Sequence, residues 1–293
     1  MRRDMHVLKI SPRGYCYGVV DAMQMAKRVA QDPAVPRPIH VLGQIVHNKH
    51  AVESLTALGI VTLDGADRMA LLDDIKEGTV IFTAHGVSPA VKRAASAKGL
   101  TCIDATCPDV TRTHDLVIDL VRQGYEVIYV GKRGHPEPEG VIGEAPEHVH
   151  LVETCADVDA LEIDSPLLAV ATQTTVSQWD TAAVIDRIRS RYPHVVVNND
   201  ICHATLERQQ AAVNQAAQAD LVLVVGDERS NNSRRLAQVV QDIAGKPARL
   251  IDSVADIKPE WLIGVETVAV TSGSSTPTEI TRAVIEHLQA AGA

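Results

Sequence analysis

Nine short, near-continuous apolar runs, each followed by a small or polar loop, constrain this chain more than any other feature. They are His6–Ile10, Ile39–Leu42, Thr79–Phe82, Leu100–Ile103, Val127–Val130, Leu167–Ala171, His194–Val197, Leu221–Val225 and Val265–Val270. Runs of this length, rich in Val and Ile, read as strands buried on both faces, the pattern of parallel sheets. Helical periodicity fills the intervals, most clearly at Ala90–Ala97, Asp109–Gln123, Asp180–Tyr192, Leu206–Ala219, Asn232–Ala244 and Thr278–Ala291. Strand and helix alternate throughout, so the chain is expected to be α/β.

The loops repeat. The first, fourth and seventh runs lead to a cysteine, in Arg13-Gly14-Tyr15-Cys16-Tyr17-Gly18, Asp104-Ala105-Thr106-Cys107-Pro108 and Asn199-Asp200-Ile201-Cys202-His203-Ala204, with the cysteines 91 and 95 residues apart. The second, fifth and eighth lead to Val46-His47-Asn48-Lys49-His50, Gly131-Lys132-Arg133-Gly134-His135-Pro136-Glu137 and Gly226-Asp227-Glu228-Arg229-Ser230-Asn231-Asn232-Ser233. The third, sixth and ninth lead to Thr83-Ala84-His85-Gly86-Val87-Ser88-Pro89, Thr172-Gln173-Thr174-Thr175-Val176-Ser177 and Thr271-Ser272-Gly273-Ser274-Ser275-Thr276-Pro277.

A repeat near 95 residues is too long for a solenoid and suits three small α/β lobes. The expected division is 1–102, 103–198 and 199–293, with the strand at 6–10 open to pairing with the third lobe. Ligands of open α/β sheets sit beyond the carboxyl ends of the strands, so nine such loops could converge on one central site. Pro33–Pro38 reads as a surface loop.

Three cysteines at equivalent strand-to-helix turns say more than any one of them. A lone Cys is most often a small core residue, but a helix N-terminus favours thiolate, and three converging thiolates can hold zinc or an iron–sulfur cluster. Zinc would ordinarily recruit a fourth Cys or His, often in a C-x-x-C pair, and none occurs. Cys102 reads as core, and Cys155, before an acidic helical stretch, as structural. Five cysteines in a reducing cytosol are more readily explained as core residues, ligands or catalytic thiols than as disulfides.

His47, His85, His135, Thr174, Ser230, Asn232 and Ser275 are each ordinary alone, as surface histidines or helix caps. Together they form a donor-rich set that suits a phosphate or diphosphate at helix N-termini. Glu137 adds a carboxylate to this donor set: alone it is a first-turn helix acid favoured by the dipole, but with a raised pKa it can deliver a proton. Neither G-x-G-x-x-G nor G-x-x-x-x-G-K-[ST] occurs, so the usual mark of a nucleotide fold is missing.

Charge and composition exclude other classes. The net charge of −9 argues against a phosphate-backbone binder, and 2 Trp, 5 Tyr and 1 Phe are too few for a base-stacking platform, so no nucleic-acid partner is expected. No run approaches the ~20 apolar residues of a membrane span, and the first residues carry no long apolar core or cleavage signal. The expected setting is cytoplasmic, without a membrane partner.

Arg13-Gly14-Tyr15-Cys16, Val46-His47-Asn48-Lys49, Ala84-His85-Gly86-Val87-Ser88, Asp104-Ala105-Thr106-Cys107-Pro108, Gly134-His135-Pro136-Glu137, Gln173-Thr174-Thr175 and Asp200-Ile201-Cys202 together resemble the LytB/IspH family. These are the 4-hydroxy-3-methylbut-2-enyl diphosphate reductases of the last step of the non-mevalonate isoprenoid pathway. The resemblance spans nearly the whole chain, in order and spacing.

The resemblance implies a three-lobed α/β fold around a central cavity with a [4Fe–4S] cluster held by Cys16, Cys107 and Cys202, one iron remaining open to substrate. It places His47, His85, His135, Ser230, Asn231, Asn232 and Ser275 against the substrate diphosphate. Glu137 becomes the proton donor, with Thr174 and His135 beside it. The implied reaction is a two-electron reductive dehydroxylation to isopentenyl and dimethylallyl diphosphates, fed by ferredoxin or flavodoxin. Asn231 stands where the family commonly has Ser, and Tyr15 and Tyr17 where many members have Phe and a small residue. Neither departure removes a ligand or the acid. Two other classes compete: a non-catalytic iron–sulfur carrier or sensor, which has no use for Glu137 or an anion-binding loop set, and a zinc- or thiol-dependent hydrolase, which lacks its fourth soft ligand.

Overall fold

The apolar runs become parallel strands, and three further strands join them. The computed structural model describes residues 5–65 and 67–292. Strand β1 (His6–Lys9) comes first, then β2 (Ile39–Leu42), β3 (Ile60–Leu63), β4 (Thr79–Phe82) and β5 (Thr101–Asp104). β6 (Glu126–Val130), β7 (Val149–Val152), β8 (Leu168–Thr172) and β9 (Val196–Val197) follow, and β10 (Leu221–Val225), β11 (Ala248–Ile251) and β12 (Thr267–Ser272) end the series. The helices are α1 (Tyr17–Gln31), α2 (Lys49–Thr56), α3 (Arg68–Asp73), α4 (Pro89–Ala97), α5 (Pro108–Arg122), α6 (Pro136–Ile142), α7 (Cys155–Ala160), α8 (Gln178–Arg191), α9 (His203–Ala216), α10 (Asn231–Asp242) and α11 (Thr278–Gly292).

Among the described residues these strands make three four-stranded sheets, ordered β3-β2-β4-β5, β7-β6-β8-β9 and β11-β10-β12-β1. Every pairing is parallel. The order is the same in each sheet: second, first, third, fourth. In the last sheet the fourth place is filled by β1, with His6 opposite Thr267 and Lys9 opposite Val270. The α/β architecture of three repeated parallel sheets is therefore the fold of the chain.

The three strands that the hydrophobic pattern did not reveal, β3, β7 and β11, occupy the same edge place in each sheet. An edge strand is covered on fewer sides, so its sequence need not be continuously apolar. β11 reads Ala-Arg-Leu-Ile, with Arg249 exposed between buried Ala248 and Ile251. At the opposite edge of the second sheet, only Val196–Val197 of the expected His194–Val197 run pairs.

Central strands show why two-sided burial produces unbroken runs. In β10, Val222 and Val224 face Ala212, Ala216, Leu236 and Val240 of α9 and α10. Leu221, Leu223 and Val225 face Val284, Ile285 and Leu288 of α11. Helices on both faces require an apolar residue at every position. In the second sheet, Ile128 and Val170 pack with Val184 and Ile188 of α8, while Val127 and Ala169 pack with Val117 and Leu120 of α5.

Packing divides the described residues into two compact units: one of residues 5–19, 46–51 and 203–292, the other of residues 20–45, 52–65 and 67–202. The first unit holds the sheet completed by β1, the second the other two sheets. Pro33–Pro38 runs along the surface as expected. No helix among the described residues is long and apolar enough to cross a membrane.

Candidate functional site

In the larger unit the chemistry gathers at the start of α6. The chain leaves β6, turns at Gly134 with φ +72°, and places His135 at the cap of α6, where the imidazole Nδ1 accepts from Glu137 N at 3.2 Å. A ring nitrogen that accepts leaves Nε2 to carry the proton of the neutral imidazole, so His135 offers a donor outward. The His135 ring meets His85 edge-on, centroids 5.2 Å apart. His85 comes from the loop after β4.

Glu137 lies in the first turn of α6 yet is only 1% exposed. Its Oε1 accepts from Thr174 N at 2.6 Å. Burial drives the carboxyl pKa up to about 7, against the hydrogen bonds from Thr174 and Gln173, and the charge of Asp109 adds to the rise. A carboxyl so placed holds a proton near neutral pH and can give it up, which is what a general acid requires. The alternative reading, a solvated first-turn acid, does not describe a side chain this deep.

Gln173 is a member of the site that the sequence did not assign a role. Its Oε1 accepts from Lys132 N at 2.8 Å, and its Nε2 donates to Thr175 Oγ1 at 3.1 Å. It braces the β6–α6 loop against the β8–α8 loop while contributing to the Glu137 environment. The one signal in the sequence was its place next to Thr174.

Each of the three loop cysteines stands immediately before a helix: Cys16 before α1, Cys107 before α5 and Cys202 before α9. Each backbone N–H finds the same kind of partner, a carbonyl in the loop after the third strand of a sheet. Cys16 N reaches Ser274 O at 3.1 Å, Cys107 N reaches Ala84 O at 3.0 Å, and Cys202 N reaches Thr174 O at 3.0 Å. The repeat seen in sequence is thus a repeat of backbone hydrogen bonding. All three thiols are unoxidised and half-buried. Cys102 lies in β5, packed against the core cluster of Leu42, Val80 and Phe82. Cys155 is the first residue of α7 rather than its prelude, and is exposed.

The smaller unit gathers His47, Ser230, Asn231, Asn232 and Ser275. Ser230 caps α10, its Oγ accepting from Ser233 N at 3.2 Å. The Ser275 hydroxyl lies 3.1 Å from Ser230 Oγ and 3.3 Å from His47 O. Asn232 spends its amide on the scaffold: Oδ1 accepts from Ser274 N at 2.9 Å and Nδ2 donates to Thr205 Oγ1 at 3.3 Å. Close approach of the loops needs glycine. A Cβ on Gly226 or Gly273 would stand 2.3 or 2.0 Å from Ser233 Oγ. The first turn of α10 thus sits between the ends of β10 and β12, its N-terminus a place for an anion.

Residues 7–289 match the family of the LytB protein. The chain belongs to the LytB family. It is 62% identical over 286 residues to a 4-hydroxy-3-methylbut-2-enyl diphosphate reductase of Symbiobacterium thermophilum, covering 97% of each chain. Against the like-named protein of Anoxybacillus flavithermus it is 56% identical, covering 97% of this chain and 90% of that one. The solved E-1-hydroxy-2-methyl-but-2-enyl-4-diphosphate reductase of Plasmodium falciparum superposes with a TM-score of 0.90 at 32% identity, over 97% of this chain and 88% of that one. LytB proteins are iron–sulfur proteins, and this one presents three soft thiol donors at equivalent turns. Soft, unoxidised, repeated sulfur ligands fit such a group.

Proposed function

We propose that the chain reduces 4-hydroxy-3-methylbut-2-enyl diphosphate to isopentenyl and dimethylallyl diphosphates, the terminal step of the non-mevalonate pathway, with Glu137 as the proton donor. One observation carries the assignment of Glu137. A single residue, Thr174, gives its N–H to Glu137 and takes the N–H of Cys202 on its carbonyl. The proton source and one cysteine turn are therefore built on the two sides of one peptide segment.

Cys16, Cys107 and Cys202 would hold a [4Fe–4S] cluster, which would pass on the two electrons one at a time from an external donor and would offer a Lewis acid to the substrate oxygen. Loss of the hydroxyl consumes two electrons and two protons. One proton leaves with oxygen as water and the other ends on carbon. Glu137, its pKa raised by burial to about 7, is the donor, and the Thr174 N–H fixes the direction of its carboxyl. His135 Nε2–H and His85 present donors from neighbouring loops. His47, Ser230, Asn231, Asn232 and Ser275 take the diphosphate, whose binding energy orients a small hydrocarbon that offers little else to grip. Asn232 acts chiefly by holding the Ser274 backbone, because its amide is engaged at both ends. The electron donor is ferredoxin or flavodoxin, and the setting is cytoplasmic.

An electron carrier would not need a buried carboxyl of raised pKa beside a cysteine turn, and this separates the two readings. Protein purified without oxygen is expected to show a [4Fe–4S] spectrum that substrate perturbs and to turn over when reductant is added. A colourless zinc protein after full iron reconstitution would sink the proposal.

The raised pKa of Glu137 sets the pH dependence. A donor must be protonated, so its contribution is complete well below pH 7 and falls as pH rises through about 7. The plot of kcat/KM is expected to fall about tenfold per pH unit above that point, the free-enzyme titration of one group. A profile flat to pH 9 would show that this carboxyl does not supply the proton.

A further inference from the structure

We propose that Asp227 and Asp252 are positioning residues that clamp the His47 loop into its diphosphate-binding geometry, taking up Lys49 in doing so. The proposal rests on the reading that His47, Ser230 and Ser275 hold the diphosphate.

The loop has to be fastened. Val46–Ala51 packs with the unit of the third sheet, while the chain on both sides of it belongs to the other unit. Its internal fastening is local: Asn48 Oδ1 accepts from His50 N and Ala51 N at 3.1 and 3.2 Å, capping α2. Two carboxylates are among its links to the rest of that unit. Asp227 Oδ2 accepts from Lys49 N at 2.9 Å, and its Oδ1 accepts from Arg229 N at 2.8 Å. Asp252 Oδ2 takes both Lys49 Nζ at 2.7 Å and His50 Nε2 at 3.0 Å.

Asp227 is 5% exposed, and it joins two loops that carry anion ligands, one bearing His47 and the other Ser230. Ser275 joins the same two, lying between His47 O and Ser230 Oγ. Three loops are thereby stitched by one buried carboxylate and one hydroxyl.

The charges make sense only in this role. Uncompensated carboxylates beside a site for a multiply charged anion oppose binding. Here the carboxylates are compensated, Asp227 by two amides and the Arg229 guanidinium at 3.7 Å, Asp252 by an ammonium and an imidazole. Lys49, two residues from His47, has the chemistry of a phosphate ligand, but its ammonium is engaged by Asp252. Its side chain is 51% exposed, so the ion pair by itself adds little to stability. Its value is to fix the backbone that carries His47.

The test uses the holoenzyme and inorganic diphosphate as a competitive inhibitor. Asp227→Asn leaves one oxygen for two amides and is expected to raise both KM and the inhibition constant of diphosphate about tenfold, with kcat and the cluster spectrum unchanged, the signature of lost uniform binding. Asp252→Asn and Lys49→Met are each expected to raise both about threefold, and the double variant no further, because they cut the same link. Asp252→Glu restores the original values. If Asp227→Asn does not fold, the Asp252 and Lys49 variants decide. An unchanged KM, or additive effects of Asp252→Asn and Lys49→Met, overturns the clamp. His47→Asn separates the two readings: no change in diphosphate affinity in that variant sinks the assignment of His47 itself, whereas a loss there beside intact Asp227 and Asp252 variants sinks the clamp alone.

Discussion

Glu137→Gln loses catalysis by about 10²- to 10⁴-fold in kcat, the range for removing a positioned general acid, while substrate still perturbs the spectrum of the oxidised protein. Gln is nearly the shape of Glu and keeps an oxygen to accept from Thr174 N. The packing around a residue 1% exposed therefore survives. What the amide cannot do is give up a proton. Because Glu137 is buried beside Gln173 and Thr174, no bulk water stands ready to replace it. Kinetics with excess low-potential reductant isolate the effect: both electrons are then supplied without limiting the rate, and any remaining deficit belongs to proton transfer and bond breaking. In that experiment the descending limb of the pH profile should disappear with the carboxyl. Turnover within about threefold of the original would remove Glu137 from the proton-donor role.

The second large effect is at the cysteines. Cys107→Ser and Cys202→Ser are each expected to abolish activity and to yield protein that retains little iron after anaerobic reconstitution, because serine is a poor replacement for a soft thiolate. Cys102→Ser and Cys155→Ser provide the contrast. Cys102 lies in β5 against the cluster of Leu42, Val80 and Phe82, and Cys155 opens α7 on the surface. Both variants are expected to keep iron and activity, with Cys102→Ser costing only stability. Iron content and visible absorption measured on all four, with Cys16→Ser as a fifth, sort ligands from bystanders. Full iron retention in Cys107→Ser would remove that residue from the ligand set.

The fold was legible wherever burial was two-sided. Strands such as β8 and β10, covered by helices on both faces, write continuous apolar runs into the sequence. β3, β7 and β11 escaped because an edge strand tolerates residues such as Arg249 and His150. The cysteine turns were legible through repetition: one Cys before one helix means little, and three at the same turn mean much. The repeat also has a structural cause that no residue type betrays, the backbone bond from each cysteine to the loop after a third strand. Gln173 and Asp227 were invisible as members of the site for a different reason. They act through main-chain partners brought together only by folding, and an Asp or Gln at a loop looks like any solvated one. Glu137 was legible as a residue, but its raised pKa comes from burial that sequence cannot measure.

The place of β1 has a consequence for how the chain comes into being. β1 is hydrogen-bonded to β12, about 260 residues further along the chain. At typical synthesis rates it waits on the order of tens of seconds for its neighbour. During that interval Cys16 lacks the Ser274 carbonyl that anchors its turn, so the geometry of this thiol cannot be set cotranslationally. Assembly of any group that needs Cys16 in its folded position therefore waits until β12 and the loop after it have been made.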